Sequence, residues 1–175
     1  MPKFKIDGFT LVELLVVMAI IGVLASLVVG GFRSAQMRGR DAQRKSDLKQ
    51  ISQALEMFYS DYNRYPSGSG GLIMACPYDP DTGTGTACSW GSAEFKDNKT
   101  IYFKKMPIDP AAPSLGYFYR VVPTSNNQKF QLFARLENSR DQDCLEGDCS
   151  YPSGYSCGGP TCNFSITSPN TIPME

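Results

Sequence analysis

The sequence predicts an α+β fold. One long N-terminal helix has a transmembrane first half, and its second half packs on a small antiparallel β-sheet. Three observations predict this. Residues 14–32 are a run of 19 without a charge, directly after Glu13. No proline occurs between residues 3 and 65. Beyond residue 98, short strand-like runs rich in aromatic and β-branched residues replace the helical pattern.

The apolar run spans residues 9–32, FTLVELLVVMAIIGVLASLVVGGF. At about 1.5 Å per residue it crosses the roughly 30 Å hydrocarbon core of a bilayer. A removable secretory signal would be shorter and would end at small residues before a cut, and no such site follows. Glu13 is out of place here, because an acid costs about 2.5–3.5 kcal/mol at the centre of a membrane helix and less near its end. No basic side chain lies one turn before it. A free amine on Phe9 would lie four residues earlier, on the same helix face.

The helical pattern continues past the run. Leu48, Ile51, Leu55, Phe58 and Tyr62 recur at steps of three and four, which makes one apolar stripe. Asn63 and Arg64 end the stripe and Pro66 stops the helix. A helix from Phe9 to Tyr62 would be about 80 Å long. Gly30 and Gly31 mark its weakest point, since each glycine costs about 1 kcal/mol relative to alanine. Residues 33–49 hold six basic and two acidic side chains. That stretch reads as a solvated face or a headgroup contact, with Arg38, Asp41, Arg44 and Lys45 able to pair along the helix. No aromatic residue is interleaved with the bases, so DNA is not an expected partner.

Residues 67–98, rich in Gly, Ser, Thr, Asp and Pro, read as a loop. Strands are expected at Thr100–Lys104, Gly116–Val122 and Lys129–Leu136, the last two forming a hairpin through Pro123–Gln128. In the last run Phe130, Leu132, Ala134 and Leu136 share one face, opposite Gln131, Phe133 and Arg135.

Composition limits the chemistry. Seventeen basic residues balance seventeen acidic ones, so bulk charge gives no reason to expect nucleic-acid binding. There is no histidine, which excludes Ser-His-Asp and Cys-His catalysis and every histidine-ligated metal. No nucleophile motif stands out, and an enzyme is not expected. Six cysteines point to an oxidising compartment and to disulfides rather than zinc. Cys76 and Cys88 share one loop and are paired. Cys144, Cys149, Cys157 and Cys162 are spaced symmetrically about Ser153, in the turn signal Pro152-Ser153-Gly154. A hairpin there favours the nested pairs Cys149–Cys157 and Cys144–Cys162, with the local pairs Cys144–Cys149 and Cys157–Cys162 as the rival. Asp141, Asp143, Glu146 and Asp148 crowd one loop. Oxygen ligands at short spacing suit calcium, although the spacing matches no EF-hand and a solvated acidic loop is the plainer reading.

The stretch Gly8-Phe9-Thr10-Leu11-Val12-Glu13, after a leader with Lys3 and Lys5, resembles the N-terminus of type IV prepilins and type II secretion pseudopilins. The resemblance implies cleavage by a prepilin peptidase between Gly8 and Phe9, methylation of Phe9, and a role for Glu13 in guiding assembly. It divides the chain into a leader (1–8), a transmembrane and assembly helix (9–32), an amphipathic continuation (33–62) and an exported globular β domain with a cysteine-rich end (63–175). YNRYP at Tyr62–Pro66 and MPIDPAAPSLGYFYRV at Met106–Val121 resemble the major, G-type pseudopilin. In that family a Trp-Gly-Asn run follows the Asp-Pro pair, where this sequence has Ala111-Ala112-Pro113. That family also carries calcium in its C-terminal loop; no other cofactor is implied.

The implied function is a structural subunit of a type IV pilus-like or secretion pseudopilus filament. The implied partners are copies of itself, minor pilins, the prepilin peptidase, a membrane platform protein and an assembly ATPase, with membrane lipid before assembly. The precursor would cross the cell membrane once, its short N-terminus cytoplasmic and its globular part at the cell surface or in the periplasm. Counting Lys and Arg on either side of the span gives the opposite orientation; the cysteines and the leader favour the exported one. A monomeric membrane-tethered binding domain and a competence-type pilin for DNA uptake are the alternatives. A simple anchor gains nothing from Glu13.

Overall fold

The structure, a computed structural model, describes residues 9–173; residues 27–30 lie within its long helix and are not described further. Two of the residues singled out above, Gly8 and Gly30, therefore lie outside the described residues. The chain divides into two compact units between Met37 and Arg38.

Helix α1 runs over Leu11–Tyr62, 52 residues, and belongs to both units. From Leu11 to Phe32 its described large apolar side chains are exposed, from Leu11 at 79% to Val17 at 48%. This part is long and apolar enough to cross a membrane. Within the second unit α1 has one buried stripe. Leu48, Ile51, Leu55 and Phe58 are fully buried, and Asp41 and Arg44 continue the same 3–4 spacing toward the N-terminus. The helix closes on Asn63, whose φ of 52° is left-handed and whose N–H reaches the Tyr59 carbonyl at 2.7 Å. An asparagine tolerates that conformation better than most residues.

Three small antiparallel sheets complete the second unit. The first joins β1 (Gly68–Ser69), β2 (Leu72–Asp79) and β3 (Thr84–Ala87). The second pairs β4 (Phe95–Lys96) with β5 (Ile101–Phe103). The third has the order β6 (Phe118–Val121), β7 (Phe130–Ala134), β8 (Phe164–Thr167). Strands β5, β6 and β7 fall inside the three expected runs, and β6 and β7 form the expected hairpin, with Phe118 opposite Phe133 and Val121 opposite Phe130.

The stretch 67–98, expected to be a loop, instead holds β1 to β4. Two features disguise it. Pro77 interrupts β2, where the register with β3 shifts between Met74 and Tyr78. The partner strand reads Thr-Gly-Thr-Ala and has almost no apolar signal. Gly85 within it allows the close approach, since a Cβ there would lie 2.4 Å from the Met74 carbonyl oxygen.

Phe58 is the hub of the core, its ring 4.6–5.6 Å from those of Tyr62, Tyr78, Phe95 and Tyr102. Burial of each such aliphatic or aromatic side chain contributes about 1.5–3 kcal/mol. The alternation along β7 places Phe130, Leu132 and Ala134 in this core, while Phe133 packs on the other face with Phe118 and Tyr155.

That alternation corrects the nested disulfide pattern. The bridges are Cys76–Cys88, Cys144–Cys149 and Cys157–Cys162. Cys144 and Cys149 lie in the core beneath α1, whereas Cys157 and Cys162 pack against Phe133 on the opposite face of the sheet. Nested pairs would have to join the two faces. The reverse turn also lies elsewhere than at Ser153. Cys157 N–H bonds the Pro160 carbonyl at 2.9 Å and Cys162 N–H bonds that of Tyr155 at 2.8 Å, so the chain reverses over Gly158 and Gly159. Gly158 has φ of 97°, and a Cβ there would meet the Leu115 backbone at 2.9 Å.

Candidate functional site

The N-terminus of α1 is built by Thr10 and Glu13. Thr10 Oγ1 donates to Glu13 Oε2 at 2.7 Å, and the Thr10 N–H donates to the same oxygen at 2.9 Å. In return the Glu13 N–H donates to Thr10 Oγ1 at 3.3 Å. This is a reciprocal capping box, which satisfies two helix-end donors at once. Its Thr-x-x-Glu spacing is plain in the sequence, yet the glutamate stood out there by its cost in lipid and by the motif it completes. Glu13 Oε1 accepts no hydrogen bond among the described residues. Phe9, just before the box, is 82% exposed. Gly31 sits in unbroken helix with nothing near its Cβ position.

The start of the buried stripe holds a second charged centre, which the sequence reading left on the surface. Arg44 is fully buried. Its Nε and Nη2 donate to the two Asp109 oxygens at 2.8 and 2.9 Å, a bidentate pair. Its Nη1 reaches Asp41 at 2.7 Å and Glu137 at 2.8 Å. Arg40 forks onto the same Glu137 carboxylate. Asp41 in turn accepts the backbone N–H groups of Glu137 and Asn138 at 2.9 and 2.8 Å. Burial disfavours the Arg44 charge, but the carboxylates of Asp109, Glu137 and Asp41 outweigh it and raise the group. The Arg40 hydrogen bond, against burial and with help from Arg44, holds Glu137 down at about 2.

At the other end of the stripe, Tyr62 and Tyr102 both donate to Asp97 Oδ2, and Tyr102 also lies 2.7 Å from Asp61. Burial pushes Asp97 upward, but hydrogen bonds from Tyr62, the Thr100 and Lys99 amides and Tyr102 hold it at about 2. Burial and Asp97 raise Tyr62 to about 12. Asp61, Tyr62 and Asp97 line a shallow cavity with Asn98 and Lys99. General acid–base catalysis works best with a group that titrates near the operating pH, and Asp97 and Tyr62 both lie far from neutrality.

Comparison with known proteins agrees with the helix terminus. The model of the prokaryotic N-terminal methylation motif matches residues 3–29. The type II secretion system core protein G of Pseudomonas aeruginosa is 38% identical over 134 residues, 77% of this chain and 85% of that protein. The chain belongs to the type IV pilin and type II secretion pseudopilin superfamily. The core protein G of Aeromonas hydrophila is 34% identical over the same shares of both chains. The type IV major pilin protein PilA of Myxococcus xanthus is 41% identical over 127 residues, 73% of this chain and 51% of that protein. No solved structure matches significantly.

In this pilin-like subunit the Asp-Pro pair that carried part of the resemblance has a definite place. Asp109 is the buried counter-ion of Arg44 and also accepts the Ala111 N–H at 2.8 Å. The four loop carboxylates considered for calcium do not assemble into a site. Asp141 and Asp143 are both taken by Lys45, Asp148 accepts the Ser150 N–H and hydroxyl, and Glu146 is exposed. Among the described residues no three metal-ligating side chains converge.

Proposed function

We infer that the chain is made as a membrane precursor, cut between Gly8 and Phe9, methylated on Phe9, and polymerised through the apolar half of its helix. One observation carries this reading. An apolar helical stretch exposed along its described length holds a single acid, Glu13, and among the described residues that acid is satisfied only by its own neighbour Thr10. In lipid the exposed side chains are solvated by acyl chains. Outside lipid they must be covered, and copies of the same helix are the natural cover. Freed by cleavage, the Phe9 amine of one subunit pairs with Glu13 of the next in the apolar filament core. The pair relieves two charges that would each be costly alone. Gly30 and Gly31 are where α1 would bend or unwind to pack in the filament.

The globular unit lies outside the cytoplasm, and its three disulfides suit that side of the membrane. A secretion pseudopilus is favoured over a pilus, because the P. aeruginosa and A. hydrophila core G proteins align over 85% of their length and PilA over 51%. The peptidase, a platform protein, an assembly ATPase and minor pilins are the partners this role requires. Intact mass and N-terminal sequencing of sheared filaments test it. The expected chain begins at Phe9 and carries one added methyl group. A mature chain that keeps Met1–Gly8, or one cut near Ala25, refutes it.

A further inference from the structure

An acidic segment of the chain lies against helix α1. Residues 137–148 carry five carboxylates and one basic residue, Arg140. The resemblance implied calcium in the C-terminal loop, and the donor set can be tested for it. Lys45 Nζ lies 2.7 Å from Asp141 Oδ1 and 2.7 Å from Asp143 Oδ2. An ammonium therefore already stands where a bridging ion would have to stand. Calcium needs six to eight oxygens at about 2.3–2.6 Å. To bind both aspartates it would have to displace Lys45, and a divalent ion left beside the ammonium would be repelled by it. The segment does not fit calcium.

Its shape is fixed by other means. The Asp143 N–H donates to Asp141 Oδ1 at 3.0 Å, which closes the turn that presents both carboxylates to Lys45. The Cys144–Cys149 bridge closes the next turn, where Glu146 and Gly147 both take left-handed φ, 54° and 72°. Asp41, four residues before Lys45, holds the Glu137 and Asn138 amides. Arg40 and Arg44 hold the Glu137 carboxylate, and Lys45, one helical turn beyond Asp41, extends these contacts to Asp141 and Asp143.

The geometry points to Lys45 as a tethered cation in place of a bound divalent ion, so that the globular unit folds and keeps its loop without calcium. This inference does not depend on the filament reading, because it concerns the single subunit. The test uses the full processed chain in detergent, melted in chelator and in millimolar calcium. Wild type should melt at the same temperature in both. Lys45→Met keeps the apolar stem and removes the charge. Its Tm in chelator should fall by about 2–4 °C, and amide exchange at 139–143 should rise. Lys45→Arg should restore both. A wild-type Tm raised by calcium, or a Lys45→Met chain with wild-type Tm and exchange, overturns the proposal. Should Lys45→Met fail to fold, carbodiimide treatment of the wild-type chain decides. A Lys45–Asp141 or Lys45–Asp143 linked peptide supports the tether, and its absence in both chelator and calcium rejects it.

Discussion

Glu13 and Arg44 stand on one helix, and each is a charge beside apolar neighbours, but their partners come from very different distances along the chain. Arg44 is closed off by the chain itself. Asp109, 65 residues away, takes two of its nitrogens, and Asp41 and Glu137 take the third. Among the described residues Glu13 is held only by Thr10, three residues away, through one of its two oxygens. A buried charge whose hydrogen-bonding capacity is filled by remote parts of its own chain fixes a fold. A charge satisfied by a local cap keeps capacity for a partner outside the chain. The two halves of α1 differ accordingly, one finished within the subunit and the other awaiting a neighbour.

The largest effect on the finished half should come from Arg44→Leu. It leaves Asp41 and Asp109 buried without their counter-charge, at a cost of about 3–5 kcal/mol. Denaturant melts of the full chain in detergent measure it, and a loss below about 1 kcal/mol would mean the cluster does not close the fold. Next comes the Cys76–Cys88 bridge. Replacing both cysteines with serine should cost about 3 kcal/mol, and the same change at Cys144 and Cys149 about 2 kcal/mol, because the sequence separations are 12 and 5 and the shorter loop restricts the unfolded chain less. Equal losses would point to packing rather than chain restriction.

A third test is pH. Glu137 is held at about 2 in the folded chain against an ordinary 4.5. A lowered folded value means stability that is fully present above about 4.5 and lost as pH falls through that range toward 2. Glu137→Gln should flatten that part of the acid limb while lowering stability at neutral pH. The smallest effect should be Thr10→Ala, which removes the cap at a cost of about 0.5–2 kcal/mol, confined to the helix start. Amide exchange should rise there, with the melting of the globular unit unchanged.

The apolar stripe from Leu48 to Tyr62 was legible because helical period and hydrophobicity coincide in it. Arg44 continues that stripe in the same register, but an arginine reads as surface until its carboxylates are brought in from distant segments. The capping box of Thr10 and Glu13 has a local signature that went unread, because Glu13 stood out first as an acid in an apolar run. The hairpin of β2 and β3 was not legible either, because Pro77 and Gly85 write loop into a strand pair whose close approach needs the glycine. The disulfide order depended on which face of β7 each cysteine arm packs against. Spacing about Ser153 carries no information on that.

Assembly of the Glu13→Ala chain tests the contrast between the two charges most directly. Filament yield after shearing, divided by the membrane pool of subunit beginning at Phe9, should fall to near background. Cleavage, insertion and the Tm of the globular unit should stay as in wild type. Normal yield from that variant would contradict the role given to Glu13, and with it the reading of the first half of the helix as open to a neighbouring subunit.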